Sequence, residues 1–311
     1  MNTRFSFSTC GKHICMSVAI GLLLLTTASF AQQSVPPNSK LIAKGAKLKL
    51  LSADFVFTEG PAADADGNVY FTDQPNNRIM KWEADGDISV YMEDAGRSNG
   101  LYIDHEGNLL ACADLHNQLW KISPQKEVSI LLKDWNGKRF NGPNDLWIDP
   151  EGGIYFTDPF YKRKYWDHEE KEIEQERVYY LSPDRELTVV ADDLVRPNGI
   201  IGSPDGQYLF VADINDGKTY KYQIQADGSL TNKTLHVNMG SDGMTLDSKG
   251  NLYLTGKGVT VVNPKGEKIA HIPVDQGWTA NVCFGGKKRK TLFITAMNSV
   301  YTLDMKVKGT K

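Results

Sequence analysis

Residues 144–158 read "NDLWIDPEGGIYFTD". Two short apolar-rich runs, "LWID" and "IYFTD", flank a Pro-Glu-Gly-Gly turn, which predicts a strand, a tight turn and a returning strand. The pattern recurs along the chain. Glu59 begins "EGPAADADGNVYFTD", Asn99 "NGLYIDHEGNLLACAD", Asn198 "NGIIGSPDGQYLFVAD", Asp242 "DGMTLDSKGNLYLTG" and Asn281 "NVCFGGKKRKTLFITA". In five units a glycine stands eight residues after the leading polar residue, at Gly67, Gly107, Gly152, Gly206 and Gly250. The sixth unit has Arg289 there, inside the basic turn "KKRK". Leading residues are 40, 45, 54, 44 and 39 positions apart.

A period of 40–45 residues with several short strands per unit marks propeller blades. Further strand-like runs follow each hairpin, such as "RIMKW" and "ISVYM", or "QLWKI" and "VSILL". That makes four strands per blade, and no run has helical periodicity. The sixth unit ends after "VYTLDMKV" without a fourth strand, and "AKLKLLSAD" at 46–54 supplies it. The expected fold is all-β: a six-bladed propeller of four-stranded antiparallel blades, closed by an N-terminal strand. One domain covers residues 46–311, and residues 32–45 are an N-terminal linker.

In such a meander the innermost strand of each blade starts at one mouth of the central channel, and the hairpin turns lie on the opposite face. The six leading residues, Glu59, Asn99, Asn144, Asn198, Asp242 and Asn281, therefore form a polar ring at one mouth. Two carboxylates converging with several amides repel unless a positive charge sits among them. Oxygen donors without His or Cys suit a hard cation: Ca²⁺ first, with Mg²⁺ or Mn²⁺ as alternatives and Zn²⁺ the poorest fit. Glu59 and Asp242 balance its two charges.

"EGPAAD", "NGPNDLWID…GGIYFTDP", "RPNGI…SPDG…LFVAD" and "SDGMTLDSKGNLYLT" closely resemble the SMP-30/gluconolactonase family, also called regucalcin-like, over most of residues 50–305. The resemblance implies a six-bladed propeller with a divalent cation in its channel and, commonly, hydrolysis of sugar lactones. One branch, the diisopropylfluorophosphatases, acts on phosphotriesters. It implies metal ligation by Glu59 of "EGP", Asn198 of "PNGI" and Asp242 of "DGM". Asn144 matches a position that binds metal in some branches and meets substrate or water in others. The animal branch has an Arg two residues before that Asn, where this chain has Gly142.

The expected reaction is metal-dependent opening of a small sugar lactone, with Asp242 as catalytic base. The rival readings are a phosphotriesterase and a silent propeller binding a sugar or protein on the same face. No His-Glu-x-x-His occurs, which removes zinc proteases of that type, and the one Gly-x-Ser-x-Gly, Gly96 to Gly100, leads into the strand run "LYID" and not into the strand-to-helix turn of a serine esterase. "DADGN" at 64–68 reads as a hairpin turn and not a calcium loop. An insert, "FYKRKYWDHEEKEIEQER" at 160–177, lies between the second and third strands of the third blade and emerges on the ring face. It reads either as a solvated charged excursion or as a lid offering Tyr161, Tyr165, Trp166 or His168 to substrate; the lid reading has it govern substrate choice and not stability. The candidate substrate contacts are Asn99, Asn144, His116, Tyr161, Trp166 and Asn281.

Residues 1–31 read as a secretory signal, with Lys12, an apolar run and a Ser29-Phe30-Ala31 cleavage site. The run is too short for a membrane span of roughly 20 residues. The expectation is export, periplasmic in a bacterium and otherwise secreted, without a stable membrane anchor. Loss of that segment removes Arg4 and Lys12 and no acid, moving the net charge from −3 to −5. Mild acidity argues against nucleic acid as partner. Cys112 and Cys283, 171 positions apart in apolar runs, are expected as free thiols.

Overall fold

Why the chain closes into a ring is visible in the burial of its strands. A computed structural model describes residues 40–84 and 86–310; the expected signal at 1–31 and most of the 32–45 linker lie outside the described residues. Second strands such as Leu109–Ala113 and Ile154–Asp158 are buried at every position. Fourth strands such as Val128–Leu132 are largely exposed. A strand buried on both faces needs a neighbouring sheet on each side, and six twisted sheets around an axis provide it.

The observed order is six four-stranded antiparallel sheets, five of them sequential meanders. The innermost strands are Thr58–Ala63, Leu101–Ile103, Leu146–Ile148, Pro197–Gly202, Met244–Leu246 and Asn281–Gly285. Blade six takes Lys49–Ser52 as its outermost strand, which pairs antiparallel with Ser299–Asp304 in the register Lys49↔Thr302. The six-bladed propeller and its N-terminal closure are thus as the repeats predict. Among the described residues the only helical pieces are two 3-10 turns, Gln74–Asn76 and Asp114–His116, and no helix is long and apolar enough to cross a membrane.

Six apolar clusters fill the wedges between neighbouring blades. Between blades six and one, for example, Phe293 meets Phe71 and Trp82 at ring-centroid distances of 5.4 and 5.5 Å. Such contacts combine area burial with aromatic geometry. Packing begins before residue 46: Leu41 is buried in the cluster of blades five and six, and Ala43 N–H donates to the Asp304 carbonyl at 3.0 Å. The chain end returns across blade five, where Ser248 N–H donates to Lys308 O at 2.7 Å.

The repeated turn glycines have the left-handed backbone their spacing suggests. Gly67 has φ 88° and Gly152 φ 92°, and Arg289 adopts φ 51° at the equivalent place without being glycine. "DADGN" is a turn in which Asp64 Oδ1 accepts from Asp66 N and Asn68 N. Cys112 and Cys283 are both free, the first buried and the second half-buried.

Candidate active site

The six leading residues reach the axis through a backbone that leaves no room for side chains between blades. A Cβ on Gly60 would lie 2.1 Å from the Asn99 carbonyl oxygen, and one on Gly100 would lie 2.5 Å from that of Asn144. This explains why Glu59, Asn99, Asn198 and Asp242 are each followed by glycine: the next blade's lead-in passes across that position. Around the ring, Gly100 N–H donates to Asn144 O at 2.7 Å, Thr157 Oγ1 to Asn198 O at 2.7 Å, and Gly243 N–H to Ala280 O at 2.8 Å. In blades one and four the strand register shifts just after the leading residue, between Glu59 and Ala62 and between Pro197 and Ile200. Such irregularities re-aim side chains.

Five of the six leading residues are buried, and Asp242 is half-buried. Glu59 Oε2 accepts from Gly60 N at 2.7 Å, and Asp242 Oδ2 accepts from the Trp278 indole at 2.6 Å. Burial, and next the charge of Asp242, hold the Glu59 carboxyl well above the usual carboxylate range. Burial pushes Asp242 up to about 6, against hydrogen bonds from Trp278 and Asn198 and the field of Arg163. Asn281 Oδ1 accepts from Val282 N at 2.7 Å, and its amide stabilises the charged forms of Glu59 and Asp145.

Two residues of this centre are absent from the sequence reading. Asp145 is buried beside the ring, its carboxyl pushed up to about 7 by burial despite hydrogen bonds from Leu146 N and Asn281. The signal was present: Asp145 stands where four other blades have glycine. Trp278 comes from the loop before blade six, and no repeat marks it.

The oxygen-donor set fits a hard cation on the structure's own terms. Asn198 Oδ1 and Asn99 Oδ1 are buried without a hydrogen-bond partner, a state that costs free energy unless something positive completes it. Asn198 Nδ2 donates to Tyr161 Oη at 2.9 Å, so its oxygen is the free end. Among the described residues no three His, Cys, Asp or Glu side chains gather as a metal site. The candidate set is instead two carboxylates supplemented by amides. Beneath it a cavity of about 400 Å³, lined by Asp145, Asn281, Tyr102, His105, Cys283 and Arg289 among others, opens towards the turn face.

The SMP-30/Gluconolactonase/LRE-like region matches residues 57–298. This chain belongs to that family. The gluconolactonase of Zymomonas mobilis is 30% identical over 292 residues, covering 84% of this chain and 82% of the relative. A solved gluconolactonase from Xanthomonas campestris superposes with a TM-score of 0.80 at 28% identity, covering 86% of this chain and 91% of that one. The diisopropyl-fluorophosphatase of Loligo vulgaris is 25% identical over 294 residues, covering 84% and 93%.

Against this family background the insert departs from expectation. Tyr161 does reach the ring, through Asn198. Trp166 does not: it is buried, its indole donates to the Asp114 carbonyl at 2.7 Å, and its ring stacks on His168 at 4.8 Å. Gly142 makes room for it, since a Cβ there would lie 3.2 Å from the Trp166 ring. His116 is exposed and stacks on Trp120 at 5.3 Å, with no contact to a ring residue. Ile173 is buried in the apolar cluster of blades two and three. The insert is therefore pinned to the core through Trp166 and Ile173, a packing that the charged sequence of 160–177 did not lead one to expect.

Proposed function

We propose that this chain hydrolyses a sugar lactone at the ring mouth, with Glu59, Asn144, Asn198 and Asp242 holding a divalent cation, calcium first. The observation that carries the reading is the convergence of two buried carboxylates with amide oxygens that have no protein partner. Membership of the family and the likeness to gluconolactonases support it. When bound, the cation supplies Lewis-acid polarisation of the lactone carbonyl and offsets the two carboxylate charges.

The remaining chemistry belongs to the side chains. Trp278 fixes Asp242 by its Oδ2, which leaves Oδ1 to accept a proton from the attacking water. A carboxyl raised by burial to about 6 is suited to that task. Water oxygen adds to the carbonyl carbon, the ring C–O bond breaks, and the ring oxygen leaves with a proton, giving a hydroxy acid. Tyr161 orients Asn198 by accepting a hydrogen bond from its amide Nδ2. The insert narrows the mouth and keeps bulk water from the reacting carbonyl.

The test is elemental analysis of undialysed protein, followed by calcium-loaded protein assayed on glucono-1,5-lactone and five-membered lactones with a pH indicator. Hydrolysis abolished by a chelator is the expected result. No hydrolysis of either ring size moves the assignment to a binding propeller.

A further inference from the structure

Four second strands end in or run directly into an aspartate: Asp73, Asp158 and Asp213 close theirs, and Asp114 follows Leu109–Ala113. Three of them hold the backbone that leads into their own blade. Asp73 Oδ1 accepts from Val56 N and Phe57 N at 3.0 and 3.4 Å. Asp158 accepts from Asn141 N and Gly142 N at 3.0 and 2.7 Å. Asp213 accepts from Val195 N and Arg196 N at 2.7 and 2.9 Å.

Asp114 is committed elsewhere. Its Oδ2 accepts from Gln74 Nε2 at 2.9 Å, from Arg163 Nε at 2.9 Å and from Tyr165 Oη at 2.5 Å. Two of those donors belong to the insert, and Trp166 adds the bond to the Asp114 carbonyl. The Arg97 guanidinium lies over the Tyr165 ring at 4.6 Å. The far arm of the insert is tied separately, with Glu176 paired to Arg196 at 3.1 Å and to Lys171 at 3.3 Å. Between the two anchors Tyr161 lies under Arg163 and Arg196, 5.5 and 5.0 Å from its ring centre.

We propose that Asp114 is a positioning residue for the site: through Arg163 and Tyr165 it holds the 160–177 insert in one conformation and so fixes Tyr161 against Asn198. Lifting the insert would strip a buried carboxylate of its charged donor, which is costly. The insert is accordingly a fixed wall of the site and not a freely opening lid. The kinetic arm of the test rests on the lactonase reading; the proteolytic arm does not.

The full-length chain carries tryptic sites at Lys162, Arg163 and Lys164, beside the anchor. Asp114→Asn should be cut there about tenfold faster than wild type, the scale of one lost charge-assisted hydrogen bond. Ile294→Val, in the core of blade six, should lower the thermal midpoint without faster cleavage at those sites. In lactone assays Asp114→Asn should raise KM about tenfold with kcat changed less, the pattern of lost binding geometry. Tyr165→Phe should move both readouts in the same direction by less. Cleavage of Asp114→Asn matching Ile294→Val at equal distance below the midpoint overturns the proposal. If Asp114→Asn does not fold, unchanged cleavage of Tyr165→Phe overturns it instead. A wild type without lactonase activity refutes the functional reading, and cleavage alone then decides the anchor.

Discussion

Two sets of buried acids surround the channel mouth, and they are built for opposite ends. Asp73, Asp158 and Asp213 spend their oxygens on backbone N–H groups; Asp73 also takes the Arg78 guanidinium at 2.9 Å. From outside the ring Glu59 accepts from Gly60 and Asp242 from Trp278, their remaining donors being the ring amides of Asn281 and Asn198, and both sit among amide oxygens with no partner. Burial is alike in kind, but satisfaction is not. A saturated carboxylate fastens the chain, whereas an under-saturated one retains capacity for a ligand.

The sharpest way to break this contrast is to remove one acid from each set. Asp73→Ala should cost about 3–5 kcal/mol of stability, because it strands Arg78 and two backbone donors. Urea unfolding with an unchanged slope is the measurement. A stability near wild type would mean that the saturated set does not fasten the blades. Asp242→Asn should keep its midpoint and lose about 10²–10³ in lactone turnover, since it removes a charge and the acceptor beside the water. Retention of turnover would remove Asp242 as base. Glu59→Gln should act through cation affinity, returning to within about tenfold of wild-type turnover in excess calcium by mass action. Equal rescue of the Asp242 variant would erase the distinction drawn between the two ring acids.

The smallest effect concerns the blade periphery. His236 has its imidazole pKa lowered by burial and by Lys221. An unfolded His, near 6.5, binds a proton before the folded one does, so stability should fall as pH drops below 6.5 towards the folded-state value. His236→Gln should flatten that slope in thermal scans between pH 7 and 5. An unaltered slope would assign acid sensitivity to other groups.

The same contrast explains what could be read from residues alone. The ring was legible because a polar residue stands at a fixed offset from each turn, and blade geometry converts that offset into convergence. Asp145 was missed because its neighbour Asn144 already carried the pattern, though it breaks the glycine that follows four other leading residues. Trp278 lies in a loop outside the repeat. Asp114 looks identical to Asp73, Asp158 and Asp213 in sequence, and only tertiary partners separate anchoring the insert from holding a blade. Ile173, one apolar residue among charges, gave too little periodicity to predict that the insert enters the core.

Closure of the ring by Lys49–Ser52 against Ser299–Asp304 has a consequence for how the molecule comes into being. A chain made from its N-terminus must wait for its final strand before blade six can form. Until then the face of blade one bearing Val69, Phe71 and Trp82 has no Phe293 and Val300 to cover it, and sheet edges stay unpaired. Such a species is slow to complete, because the contact spans nearly the whole chain, and prone to associate with its own kind. Truncation before Ser299 should therefore yield aggregates and not a weakened propeller. The axial donors, though drawn from all six blades, come into register only when the last strand is in place.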